Sequence, residues 1–303
     1  MRLLQAAGSI RAPWNAPDRL VIPTYDGSGA TIHPSVVDMG AGGWSGYRYW
    51  LADTPYAGGD NQLENPCVWA SNNRTRWEVP TVNPLVAAPG ATVGFHSDTE
   101  LVWDPDAARM ILYYRLGLFT AGSVTSIELR ALTSVNGSTW TYAGKVADLP
   151  LSGSGRLSPA VVRTAANSWR MWLWGDTLTA TTLTATSPLG PWSAPTDTTL
   201  GAGALLGWHG DVIQHGGAYY MAYSFGLKTI RVAKSADGIA WTAPAQPVAI
   251  TSSTTRWDRS VYRPTLVAGP EAGLMSVWYS AISPPSPGGH AIGFTRIPLS
   301  AWS

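Results

Sequence analysis

The feature that most limits how this chain can fold is a short motif that returns five times. A polar residue, usually followed by Pro or Gly, then a variable residue and two aliphatics, occurs in His33-Pro34-Ser35-Val36-Val37 and Asp98-Thr99-Glu100-Leu101-Val102. It recurs in Ser158-Pro159-Ala160-Val161-Val162, His209-Gly210-Asp211-Val212-Ile213 and Arg263-Pro264-Thr265-Leu266-Val267. Successive starts lie 51 to 65 residues apart, which suits propeller blades of about 40–50 residues with loop insertions. Each motif precedes a turn and an aromatic run: YRYWLA, MILYYR, WRMWLW, YYMAYS and LMSVWYS. Four repeats then end in a turn closed by tryptophan, at Trp77, Trp140, Trp192 and Trp241, and the fifth lacks it.

These observations predict an all-β, five-bladed β-propeller spanning residues 1–303 as a single domain, with blades starting near 33, 98, 158, 209 and 263. In a propeller each blade is a four-stranded sheet around a central channel, its first strand innermost. A β-sandwich also uses short strands and Gly/Pro turns, but gives no reason for five matched starts and four matched tryptophan turns. The fifth repeat shows three obvious strands, and RLVIPTY at 19–25 has no other sheet to join. Residues 19–25 are therefore expected to supply the missing strand and close the ring.

Composition narrows the function classes. Hydrophobic residues make up 45% and charged residues 13%, enough apolar surface for a large core and too little charge for disorder. The formal net charge is +1 with basic residues dispersed, so no stripe exists to neutralise a phosphate backbone and nucleic acid is not an expected partner. No stretch approaches the roughly 18 apolar residues of a membrane span. The single cysteine, Cys67, excludes an intramolecular disulfide framework. The first twenty residues lack the continuous apolar core of a secretory leader.

Side chains alternate along a strand, so the first and third motif residues are expected to face the axis together. An upper ring then reads His33, Asp98, Ser158, His209 and Arg263, and a lower ring Ser35, Glu100, Ala160, Asp211 and Thr265. Loops between second and third strands should wall the same mouth, bringing Glu64 and Asn65 from 52–66 and His290 from 281–291. Trp208 and Tyr262 sit just before their motifs. Aromatic rings beside acids, imidazoles and a guanidinium suit a polyhydroxylated ligand, whose C–H faces pack on rings while its hydroxyls take directed hydrogen bonds. The ligand-binding set is thus His33, Glu100, Ser158, Trp208, His209, Tyr262, Arg263 and His290; Arg263 is alternatively an ion-pair partner of Asp98 or Asp211. His33, His209 and Asp211 are of metal-binding types, but the spacing supplies no geometry, and neither a metal nor another cofactor is expected.

Five blades with such innermost starts, three of them X-Pro-x-aliphatic-aliphatic, resemble the furanosidase propellers: arabinanases, xylosidases, invertases and levansucrases. HPSVVDM, GYRYWLADTPY, ENPCVWASNNRTRW, WHGDVI and YRPTLV together resemble propeller proteins encoded by bacteria and their phages, often in tail regions. The hydrolase resemblance implies a first-blade acid as base or nucleophile, a second-blade Asp that tunes it and a third-blade Glu as general acid. Only the second-blade Asp is matched, by Asp98; His33 stands in the first position, and Ser158 and Ala160 in the third blade have no Glu nearby. A substitute catalytic pair would come from Asp98, Glu64 and Asp211, one kept protonated and the other ionised.

Two expectations follow. The first is a phage minor tail protein on the virion, or an extracellular protein, that recognises a host cell-wall or surface polysaccharide and contacts other tail proteins. The alternative is a glycoside hydrolase acting on a furanose-containing wall polysaccharide such as arabinan.

Overall fold

Five antiparallel sheets, each begun by one of the five motif strands, form the blades of a propeller. The computed structural model describes residues 13–303 apart from 154, 176–179, 202–206, 270 and 284–288. The innermost strands are Thr31–Asp38, Gly94–Asp104, Leu157–Ala165, Gly210–His215 and Ser260–Ala268. The aromatic runs form the second strands, Tyr49–Pro55, Arg109–Thr120, Ser168–Trp174, Ala218–Phe225 and Leu274–Ile282, each paired antiparallel to its inner neighbour.

Blades two, three and four have four strands, whereas blades one and five have three. Residues 19–25 do not form a continuous closing strand. Arg19 makes one antiparallel bridge to Gly293 in the third strand of blade five, and Leu20 N donates to Ile292 O at 2.7 Å. Pro23 lacks the N–H that a longer ladder needs, and Val21 is left 80% exposed while Ile22 is buried.

The core lies between the blades. Among the described residues five buried apolar clusters each join two neighbours, as where Val36 and Leu51 of blade one meet Val267 and Trp278 of blade five. Val, Ile, Tyr and Trp suit such faces because branched and aromatic side chains fill a pleated, half-buried surface. Trp77 and Trp241 are buried within clusters, and Trp140 and Trp192 pack against them part-buried. The turns before these tryptophans cap the neighbouring blade: Trp278 Nε1 donates to Arg74 O at 3.1 Å, and Trp172 Nε1 to Gly238 O at 2.8 Å.

The third motif residue binds the hub together. Ser35 Oγ accepts from Leu101 N, Glu100 Oε1 from Val161 N, Asp211 Oδ2 from Leu266 N and Thr265 Oγ1 from Val36 N. Each bond runs from one blade to the next, and the last closes blade five onto blade one. Ala160 has no side-chain acceptor to continue the series; Val212 N donates to its own residue's neighbour, Asp211 Oδ1, at 2.7 Å. The lower ring is therefore structural first.

Candidate functional site

At the start of three inner strands the backbone leaves the regular ladder. His33, Asp98 and Ser158 have φ of 55°, 49° and 46°, left-handed conformations that cost a non-glycine residue about 1–3 kcal/mol and concentrate at functional sites. Each lies where the register with the second strand shifts, as in a bulge that re-aims a side chain. The result is convergence. His33, Asp98, His209 and Tyr262 line one pocket of about 240 Å³ with Tyr56, Asn61, Glu64, Ser97, Arg115 and Trp208.

Asp98 is the electrostatic centre. Its Oδ1 accepts from Ser158 Oγ at 3.0 Å and lies 3.3 Å from His209 Nδ1 and 3.6 Å from His33 Nε2. Its Oδ2 faces Arg115 Nε at 3.2 Å and Ser97 Oγ at 3.3 Å. Burial opposes ionisation, but the surrounding imidazoles and the Arg115 guanidinium outweigh it and hold Asp98 well below the ordinary carboxylate range. Burial also holds both imidazoles low, against the pull of Asp98. The consistent state is an Asp98 carboxylate paired with Arg115 and held between the two imidazoles.

Glu64 behaves oppositely. Its Oε1 lies 3.0 Å from His33 Nδ1, and burial, reinforced by the Asp98 charge, raises its carboxyl well above the usual range. Glu64 and Asp98 thus stand on the two sides of one imidazole with their protonation pushed apart, the pattern that separates a general acid from an ionised partner. Tyr262 and Trp208 complete the wall, at ring-centroid separations of 4.4 and 5.0 Å from His209.

The structure does not bring all the expected residues together. Arg263 leaves the upper ring: its guanidinium is fully buried and donates to Thr99 O at 2.6 Å, Glu100 Oε2 at 3.0 Å and Pro159 O at 3.1 Å. Tyr262 takes its place at the mouth, because the register shift of blade five falls between Val261 and Pro264. Glu100 and Asp211 line a different cavity of about 510 Å³, with Ser35, Thr265 and aliphatic residues such as Val162 and Ile213. They are occupied in joining blades, so Asp211 does not share the pocket of Asp98 and Glu64. Ser158 is fully buried and reaches the pocket through Asp98 and His209. His290 lies one ring back from the pocket, 5.0 Å from Tyr56. Arg115 was not anticipated; its only signal is a cation ending the apolar run MILYYR.

No protein-family model and no curated protein matches this chain. Among solved structures, an N-acetylgalactosamine deacetylase from F. plautii in complex with blood group B trisaccharide is similar at a TM-score of 0.78 and 19% identity, over 95% of this chain and 96% of that one. A family 43 β-xylosidase/α-arabinofuranosidase from a compost metagenome, a calcium-free form with xylotriose, gives 0.66 and 10% over 94% of each chain. A Cellvibrio cellulosa α-L-arabinanase mutant gives 0.62 and 11%, over 88% and 90%. At these identities the likeness establishes the shared fold: a five-bladed propeller of the arabinanase and xylosidase type.

The expected phage-tail receptor role is corrected by this finding. These structural neighbours are carbohydrate-processing enzymes, and no phage protein is among them. The calcium named for the xylosidase raises the question of a fit here. Calcium takes six to eight oxygen ligands, whereas this hub presents two imidazoles and one carboxylate, His33, His209 and Asp98. The donor set does not suit calcium.

Proposed function

We propose that this protein is a glycan hydrolase of the glycoside-hydrolase type, with its reacting centre at Glu64, His33 and Asp98. The observation that carries the reading is the pair of carboxyl groups flanking His33 with opposite protonation. Glu64, held protonated, donates to the leaving oxygen; Asp98, held ionised, supports the positive charge that develops on the sugar until water adds at that carbon and returns a proton to Glu64. The pocket admits one sugar ring against Trp208 and Tyr262, in keeping with an end-acting enzyme on a wall polysaccharide such as arabinan.

Incubating the protein with arabinan, xylan and galactan and assaying new reducing ends tests the reading. Glu64→Gln and Asp98→Asn should each abolish release. Wild-type turnover in either variant removes the assignment.

A second reading, removal of an acyl group from an N-acetylated sugar, is favoured by one observation: His33, His209 and Asp98 converge with their candidate ligand atoms within 4.8 Å of one another. The deacetylase likeness supports the same reading. Release of acetate without new reducing ends from N-acetylhexosamine glycans would select it.

A further inference from the structure

We infer that His33, His209 and Asp98 form a binding site for a divalent first-row transition ion such as zinc, with an open position toward the pocket. The site belongs to the centre proposed above, but its occupancy can be read without turnover.

The argument begins with two nitrogens. Nε2 of His33 and Nε2 of His209 are buried and have no hydrogen-bond partner, although both rings line the pocket. Leaving a buried polar atom unsatisfied is unfavourable, and two such atoms at one hub share one remedy. The tautomer of His209 follows from its neighbour. Ser158 Oγ donates its proton to Asp98 Oδ1 at 3.0 Å, so at the short contact between Ser158 Oγ and His209 Nδ1 the imidazole is the donor. Nε2 is then an unprotonated lone pair.

His33 differs in its second contact: Nδ1 accepts from Asp98 N at 3.3 Å and faces Thr54 Oγ1 at 3.2 Å, so a metal on Nε2 would move the ring N–H to the Nδ1 side, where Glu64 stands. The same Nδ1 lies 3.0 Å from Glu64 Oε1. A ligating imidazole commonly gives its other N–H to a carboxylate or hydroxyl, which fixes the ring and raises its basicity; here Glu64 and Ser158 hold those places. Donors around a four-coordinate ion with bonds of about 2.0–2.2 Å stand roughly 3.5 Å apart. His33 Nε2 and Asp98 Oδ1 stand at 3.6 Å. Arg115 engages Asp98 through Oδ2, so Oδ1 remains on the imidazole side.

The donor types select the ion. Two imidazoles and one carboxylate suit zinc and its first-row neighbours, whereas calcium and magnesium take oxygen ligands. Three protein ligands with a fourth position open is the catalytic arrangement of such ions; structural sites are closed by four.

The test is uptake by chelator-stripped protein, followed by metal analysis after gel filtration and by the visible spectrum of the cobalt form. Wild-type protein should take up one Zn²⁺ or Co²⁺ per chain, undisplaced by equimolar Ca²⁺. The double variant His33→Gln/His209→Gln should take up none, and His215→Gln should behave as wild type. Glu64→Gln and Ser158→Ala should each weaken uptake by about 10–100-fold. No uptake by wild type, displacement by Ca²⁺, or undiminished uptake in the double variant overturns the inference. Should that variant fail to fold, proton resonances of the cobalt wild type decide: paramagnetically shifted signals from two imidazoles support the site, and their absence overturns it. A protein that binds the ion but processes no glycan keeps this inference and loses the functional reading.

Discussion

Arg263 meets Glu100 at 3.0 Å across the propeller hub, with the guanidinium fully buried and the carboxylate nearly so. The contact joins blade five to blade two, which are not neighbours, and the same guanidinium reaches Pro159 O of blade three. One side chain therefore ties three blades beneath the pocket. Removing one partner of a buried pair leaves the other without compensation and costs about 3–5 kcal/mol. Arg263→Met and Glu100→Ala should each lower unfolding free energy by that order in urea titration, and the double variant by less than the sum. Additive losses would mean that the two residues act independently.

Glu64 gives the prediction that bears most directly on function. Glu64→Gln should lower kcat by about 10²–10⁴-fold, the usual worth of a positioned proton donor, without loss of stability, because Gln replaces a carboxyl already held neutral by burial. A donor must be protonated, so wild-type activity should fall as pH rises through the raised Glu64 value. That alkaline limb should vanish from the residual activity of the variant. An unchanged pH profile assigns the limb to another group.

Asp211 should separate stability from chemistry. Its two oxygens accept from Leu266 N and Val212 N, and it lines a cavity other than the one that Asp98 lines. Asp211→Ala leaves buried N–H groups unpaired at about 1–3 kcal/mol each. Its melting temperature should drop while kcat per folded molecule stays within about twofold. A large fall in kcat with intact stability would return Asp211 to the reacting centre.

This residue also marks how far the sequence could be read. The five blades were legible because the motif repeats at blade spacing, and Glu64, His33 and Asp98 because loops and strand starts share one face. The direction of Arg263 was not legible, since strict alternation assumes an unbroken ladder and four inner strands shift register at the first motif residue. The closing segment over 19–25 meets blade five where expected but is reduced to a single bridge, Arg19 to Gly293, since Pro23 lacks the N–H that a longer ladder needs. Arg115 escaped notice because a cation at the end of an apolar strand looks like a solvent-facing terminus until Asp98 is placed beside it.

Asp53 predicts a pH dependence of stability. It is fully buried, accepts from Thr31 Oγ1 and Trp69 Nε1, and burial raises its pKa to about 7 despite those bonds. The folded value lies above the unfolded one, so the folded state binds the extra proton. The Asp53 contribution to stability is therefore greatest below about pH 4 and declines as pH rises toward 7, by an amount on the order of 4 kcal/mol for three units. Asp53→Asn should remove the Asp53 share: an amide keeps the Trp69 bond and donates to Thr31, whose hydroxyl still reaches Thr54 O at 3.1 Å. Denaturation midpoints from pH 5 to 8 should slope less in the variant; parallel curves would mean that Asp53 does not titrate there.

Trp208 tests whether the mouth is a sugar platform. Its ring is 39% exposed in an otherwise buried hub, edge-on to Tyr262 at 5.4 Å and 5.0 Å from His209. An aromatic face braced in this way offers a flat apolar surface to a sugar ring at little entropic cost. Stacking of this kind contributes about 0.5–1.5 kcal/mol, so Trp208→Ala should raise KM by up to roughly tenfold and leave kcat nearly unchanged. Trp208→Phe should recover most of the loss, since a smaller ring keeps the face. A fall in kcat at constant KM would point instead to Trp208 as a brace for the His209 ring, which steady-state kinetics on wild type and the two variants would reveal directly.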